Sequence, residues 1–242
     1  FLGILSVYLV YLTVSEMFKD LKSGSNLALL SSLFLATSPW HLQFSRGGWE
    51  VNASLFFLLL GIYSFIKGLS KNSYLYLFTV SMSLSMYTYH SMRIIAPLLS
   101  LTLIIVYYKD LFKTKGISQA LKPIFLSALL GIAVTLPLIF QMLSKEGQSR
   151  FSGVSVFSDE GPLWQALELR RGHEDLNLGV RLIHNKYLSY GLRFTKNYLS
   201  HFSPRFLFIS GDEIARSKVP GMGQFQLVLF PLYFLGLLSL LK

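Results

Sequence analysis

Long apolar runs alternate with short polar connectors along almost the whole chain. Runs fall near 1–14, 26–38, 51–67, 73–90, 92–108, 123–143 and 224–241, against the roughly 20 mostly apolar residues that a helix needs to cross a bilayer. A helix satisfies its own backbone hydrogen bonds, so helices are the spanning structure such runs form in lipid. The pattern predicts an all-α protein, a polytopic transmembrane helix bundle of about seven spans. Residues 1–143 read as transmembrane helices with short loops, 144–223 as one large outer-side loop, and 224–242 as a further transmembrane helix. The chain opens at Phe1 inside an apolar run, without an initiator Met or a basic leader, and stops at Lys242 just after another. That gives the expectation of an internal piece of a longer protein.

Composition agrees with this reading. Hydrophobic residues make up 52% of the chain and charged residues 14%, with a mean hydropathy of +0.49, which is wrong for a soluble domain. The formal charge of +10 sits in the connectors between apolar runs, where membrane proteins keep basic residues, so no nucleic-acid partner is expected. Cysteine is absent, which removes disulfides, thiolate nucleophiles and Cys-ligated metals.

Charge also orients the runs. The connectors after the first, third and fifth carry Lys19 and Lys22, then Lys67 and Lys71, then Lys109, Lys113, Lys115 and Lys122, against Glu16, Asp20 and Asp110. The positive-inside rule makes them cytoplasmic. The 38–50 segment, the 90–93 turn and the 144–223 loop then lie on the outer face. The loop holds 11 Lys/Arg against 8 Asp/Glu, and its amphipathic stretches LWQALELRR and VRLIHNKYLSYGLRF suit interfacial helices.

Three clusters carry candidate chemistry. SPWHLQFSRGGWEVN puts Trp40, His41, Arg46, Trp49, Glu50 and Asn52 at the outer boundary. On one continuous helix Arg46 and Glu50, four apart, would share a face and pair. The pair reads either as an interfacial anchor or as an Arg fork for a phosphate oriented by Glu50. SMYTYHSMRIIAP places Tyr87, Tyr89, His90 and Arg93 at an outward turn, as an aromatic belt with a snorkelling Arg or as part of a site. The loop, which also contains His173, adds Arg150, His184, Asn185, Lys186, His201, Arg205, Asp212, Glu213 and Arg216, each of which could equally be solvated. No HExxH, GxSxG or GxxxxGK[ST] pattern occurs, so metalloprotease, serine-hydrolase and nucleotide-triphosphate chemistry have no support.

SPWHLQFSRGGWEVNASLFFLLLG, then MYTYHSMR with the following AP, then HFSPRFLFISGD together resemble bacterial membrane glycosyltransferases of the GT-C superfamily. That group includes protein O-mannosyltransferases and the aminoarabinose transferases of lipid A. The resemblance implies inverting transfer of a hexosyl or pentosyl sugar from a polyprenyl-phosphate donor to a protein, lipid or glycan acceptor on the outer face of a bacterial plasma membrane. Relatives often use a divalent metal. In such families the general base is an acidic residue in the first outer loop, which here is expected upstream of Phe1, so the catalytic residue is unknown. The residues carried to donor-phosphate and substrate binding are Arg46, Glu50, Tyr89, His90, Arg93, His201 and Arg216, with no metal ligand assigned. Trp49, Tyr87 and Tyr89 could stack on the sugar or line a groove for the isoprenoid chain. Two other readings stay open: a lipid-linked-glycan polymerase or ligase, which shares a large basic outer loop, and a transporter or flippase, which the nearly charge-free spans disfavour.

Overall fold

The computed structural model describes residues 1–113, 116–145, 159–172 and 178–240. Its regular elements are all helical among these residues, with no strand. In chain order they are α1 (Leu2–Met17), α2 (Gly24–Thr37), α3 (Pro39–Gly47), α4 (Glu50–Ser70), α5 (Ser73–Thr88), α6 (Met92–Val106), α7 (Tyr108–Lys113) and α8 (Gly116–Leu143). After these come α9 (Gly161–Arg171), α10 (Leu178–Ile183), α11 (Lys186–Ser200), a π-helical turn (Arg205–Ser210), two 3₁₀ turns (Ala215–Ser217 and Leu227–Leu229) and α12 (Phe230–Leu240).

Each apolar run of the sequence falls on one of these helices, but their lengths differ from the expectation of seven full spans. Two are long and apolar enough to cross a membrane, α4 over 21 residues and Leu121–Leu143 of α8 over 23. The runs 2–17, 24–37, 92–106 and 227–239 form shorter apolar helices. Local chemistry sets those limits. α2 stops before Ser38-Pro39, because the residue preceding a proline is pushed out of the helical region. Its 14 residues rise about 21 Å, short of the roughly 30 Å hydrocarbon core.

α4 and α5 form the central hairpin. α1 packs on α2 and α4, and α5 packs on α6 and α8. The C-terminal ends of α1 and α4 lie together, since the Glu16 carboxylate meets Lys67 Nζ at 2.6 Å and Lys19 Nζ at 3.2 Å. The Lys67 ammonium holds the Glu16 carboxyl below its ordinary range, with Lys19 adding to it and partial burial opposing. Glu16 lies past the apolar run that ends at 14. At the other end of α1, Gly3 faces α3, and a Cβ there would collide with Ser45 Oγ.

Where these helices touch, the residues are small. Ser54, Ser64 and Ser85 are fully buried and Ser81 nearly so, Gly61 lies against Met82, and Gly68 against Leu75. Small residues let helix backbones approach closely. Ser6, Thr13, Ser54 and Ser85 donate to carbonyls of the preceding turn, at 2.7 to 2.9 Å, so their hydroxyls are satisfied inside their own helices. One apolar cluster joins the hairpin to α6 and consists of Phe65, Ile66, Phe78, Met82 and Ala96, with the Phe65 and Phe78 rings 5.1 Å apart. Large apolar side chains otherwise point outward: Ile105 is 61% exposed on α6 and Phe125 67% exposed on α8.

α9 and α11 pack on each other. The Tyr190 hydroxyl donates to the Asp159 carbonyl at 2.9 Å, and Arg193 pairs with the Asp159 carboxylate at 2.8 Å. Asn185 caps α11 by accepting the Leu188 amide at 2.9 Å.

Candidate functional site

The site forms where residues 205–226 fold back on the C-terminal end of α2 and on α3. Ser38 Oγ donates to the Gln224 carbonyl at 3.0 Å, the Trp40 amide points at the same oxygen at 3.5 Å, and Gln226 Nε2 donates to the Thr37 carbonyl at 3.0 Å. Ser38-Pro39-Trp40 thus has a local job and a distant one. Pro39 starts α3 with a pre-set φ and no N–H to satisfy, and Ser38 and Trp40 hold a strand of chain far along the sequence. The returning segment closes on itself through the Phe225 amide and the Leu207 carbonyl at 2.7 Å. The close crossing needs Gly223, where an added Cβ would collide with the Phe208 backbone.

The glycines at 47 and 48 set the path of the chain from α3 into α4. Gly48 ends α3 in the left-handed region at φ 63°, where a side chain is strained. Gly47 leaves room for the Trp49 indole, which folds back so closely that a Cβ at 47 would collide with it. Arg46 and Glu50 are therefore on two different helices, and the shared face expected for one continuous helix does not exist. Among the described residues they form no ion pair. Instead, the Arg216 guanidinium lies over the Trp49 ring, 5.8 Å from its centre, and Gln43 Nε2 donates to the Arg216 carbonyl at 3.3 Å. Arg216 has no carboxylate partner among the described residues either. Arg46 in the last turn of α3, Trp49, Glu50 at the start of α4, and Arg216 thus share one end of the helix set.

Tyr89, His90 and Arg93 lie at the α5–α6 turn, which the antiparallel hairpin puts at this same end. Tyr89 and His90 are exposed, while Arg93 is half-buried with its Nε unpartnered. Tyr87 has a more specific role than an aromatic belt, since its hydroxyl donates to the Val134 carbonyl of α8 at 2.7 Å. His201 does not join the group. Its Nδ1 meets the Asn197 carbonyl of its own helix at 2.7 Å and its ring packs on Phe206. Asp212 accepts the Ile214 amide at 3.0 Å in a local turn. Arg150 and His173 lie outside the described residues.

His41 belongs to the SPWHLQFSRGGWEVN stretch but not to the residues carried to substrate binding, and it is only 3% exposed, with neither ring nitrogen hydrogen-bonded. Burial pushes its pKa below the ordinary value of 6.5. The Leu35 carbonyl pulls the other way without reaching hydrogen-bond geometry. Ser45 Oγ, one turn on, and Asn52 Oδ1 at the start of α4 are likewise buried without partners. Sequence spacing carries no sign of this burial, because it depends on α1 reaching α3 through Gly3.

Beneath the returning segment lies an apolar cleft of about 380 Å³, lined by Ser31, Phe34, Trp40, Phe208, Phe225 and Tyr233 among others. A second of about 330 Å³ adjoins it through Phe208 and Tyr233. Trp49, Tyr87 and Tyr89, the aromatics expected to line a groove, belong to neither. No three His, Asp or Glu side chains converge among the described residues, so these residues do not fit the divalent metal that the resemblance implies. No family model, curated protein or solved structure matches the chain.

Proposed function

We propose that the chain belongs to a multi-pass membrane glycosyltransferase that moves a sugar from a polyprenyl-phosphate donor to an acceptor on the outer side of the membrane. The observation that carries the reading is the stacking of Arg216 over Trp49, at the end of the helix set that also holds Arg46. Two regions separated by more than half the chain, the Trp49 turn and the segment that follows HFSPRFLFISGD, meet there, and they bring two guanidinium groups without ion-pair partners among the described residues. Breaking a sugar–phosphate bond builds negative charge on the departing phosphate, and arginines already in position favour that state over the ground state. The apolar cleft under the same segment has the character that an isoprenoid chain requires, with mainly aromatic and aliphatic walls.

The multi-pass part of the reading has its own support. Only 11% of the apolar window of α8 is buried, whereas the core helix of a soluble protein is mostly buried. Beside the one cluster around Phe65 and Phe78, small residues line the helix contacts while many leucines, isoleucines and phenylalanines lie on the outside, a distribution that suits lipid. In this reading about seven spans cross the membrane, the shorter ones completed by interfacial ends, with a large outer loop containing interfacial helices.

The test is sugar transfer from a polyprenyl-phosphate donor by the full-length natural protein in proteoliposomes. Arg216→Ala and Arg46→Ala each lower turnover about a hundredfold, the range for losing a principal charge-stabilising donor, while expression and insertion stay normal. Undiminished turnover in both variants would remove this cluster from the chemistry.

A further inference from the structure

α11 presents an apolar face that the described residues leave exposed. On the 100° wheel of a helix, Phe194, Tyr187, Tyr198, Leu199 and Leu192 fall within an arc of about 160°, and each is more than half exposed, as is Phe202 just past the end of the helix. The aromatic members form a ridge. Phe194 and Tyr198 are stacked 6.2 Å apart, and Tyr198 meets Phe202 at 5.2 Å. The opposite arc carries Lys186, Arg193 and Lys196, and no Asp or Glu occurs between 186 and 200. Among the described residues Asp159 engages the helix away from the apolar arc, through Tyr190 at its edge and Arg193 on the polar arc.

We propose that α11 lies flat in the lipid headgroup layer, with its aromatic ridge in the acyl boundary and Lys186 and Lys196 on anionic headgroups. This rests on the multi-pass reading above and adds which helix, which face and which lipid. Two observations select lipid as the occupant. The first is charge complementarity, because a polar arc that carries Lys186 and Lys196 besides the Asp159-paired Arg193, next to an aromatic ridge, matches an anionic surface over an apolar layer. The second is continuity with the apolar helices. Only residues 201–204 separate α11 from the π-helical turn, and that turn is packed on α12 through Phe208 against Phe230 and Tyr233, at 5.2 and 5.6 Å. Through this turn α11 is tied to the start of a helix that the multi-pass reading puts in the bilayer. Lysine stems of this kind reach past aromatic rings to the headgroups, and Lys186 Nζ already lies 5.1 Å from the centre of the Tyr187 ring.

The absence of cysteine makes single labels clean. Fluorophores at Tyr198→Cys and Leu199→Cys on the ridge, at Ser189→Cys and Asn197→Cys on the polar arc, and at Ile105→Cys on α6 are read in nanodiscs. Quenchers are a headgroup-depth lipid nitroxide or aqueous iodide, with phosphatidylcholine alone or mixed with phosphatidylglycerol. The expected result is lipid quenching at 198 and 199, iodide quenching at 189 and 197, and stronger lipid quenching with phosphatidylglycerol. In the double variant Lys186→Gln and Lys196→Gln, that gain disappears as the docked-to-undocked ratio falls about thirtyfold, about fivefold per lysine. Iodide quenching at 198 overturns the proposal, as does protection from both quenchers, which means that protein covers the ridge. Equal lipid quenching in both lipid mixtures also overturns it. If Ile105 meets lipid and 198 does not, only this inference fails. If Ile105 is also reached by iodide, the multi-pass reading fails with it.

Discussion

Ser38→Ala removes one hydroxyl from a position that is 1% exposed, and its consequence should appear some 190 residues away. The hydroxyl is the stronger of two donors on the Gln224 carbonyl, at 3.0 Å, while the Trp40 amide reaches it only at 3.5 Å. Leaving a covered carbonyl with one long contact costs about 1–3 kcal/mol. A central value of about 2 kcal/mol raises the opening equilibrium of the returning segment about thirtyfold. Hydrogen exchange with mass spectrometry, on protein in lipid nanodiscs, reads this directly at residues 206–226. The Phe225 amide, held at 2.7 Å by Leu207, is the reporter. Ser6→Ala is the matched control. Ser6 is fully buried too, but its hydroxyl bonds the Leu2 carbonyl of its own helix, so exchange at 206–226 should stay as in the unmodified chain. Gly223→Ala should open the segment more than Ser38→Ala, because the added Cβ strikes the Phe208 backbone, which no rotamer change relieves. If Ser38→Ala leaves exchange at 206–226 unchanged, or if Ser6→Ala alters it equally, the attachment of this segment through Ser38 is wrong.

Other outcomes are checked by thermal unfolding in lipid or detergent. Tyr87→Phe should cost about 1 kcal/mol through loss of the 2.7 Å bond to Val134, and an unchanged melting temperature would mean that bond contributes nothing. His41 should make the protein less stable as pH falls below about 6.5. The unfolded imidazole takes up a proton at that ordinary value and the buried one only at lower pH, so its contribution is complete above 6.5 and lost progressively below it. His41→Phe should flatten that slope, and an unaltered slope rules His41 out as its source. Glu16 acts in a lower window. Its folded pKa is depressed below 4.5 by Lys67, so its contribution is present above 4.5 and lost as pH falls toward the folded value. Glu16→Gln should remove that acid-limb loss and cost no more than about 1 kcal/mol at neutral pH; an acid limb like that of the parent refutes the pairing.

The helices themselves were legible in the sequence. Apolar runs against polar connectors are a local property, and the runs near 26–38, 51–67 and 92–108 became α2, α4 and α6 with ends set by nearby prolines, glycines and lysines. The candidates at the 46–50 and 89–93 turns were also legible by position, because order along the chain and strict alternation put both at one end. What only the tertiary structure decided was who meets whom. A single left-handed glycine, Gly48, separated Arg46 from Glu50 and cancelled a pairing that spacing alone allowed. The approach of residues 205–226 to α3 gave Trp49 a guanidinium partner and left His201 bonded within its own helix. It also walled an apolar cleft with Trp40 and Phe208 in place of the expected tyrosines. Local pattern fixes a helix because its hydrogen bonds close within a few residues. Contacts such as Ser38 with Gln224 depend on where two distant backbones cross, which no local periodicity encodes.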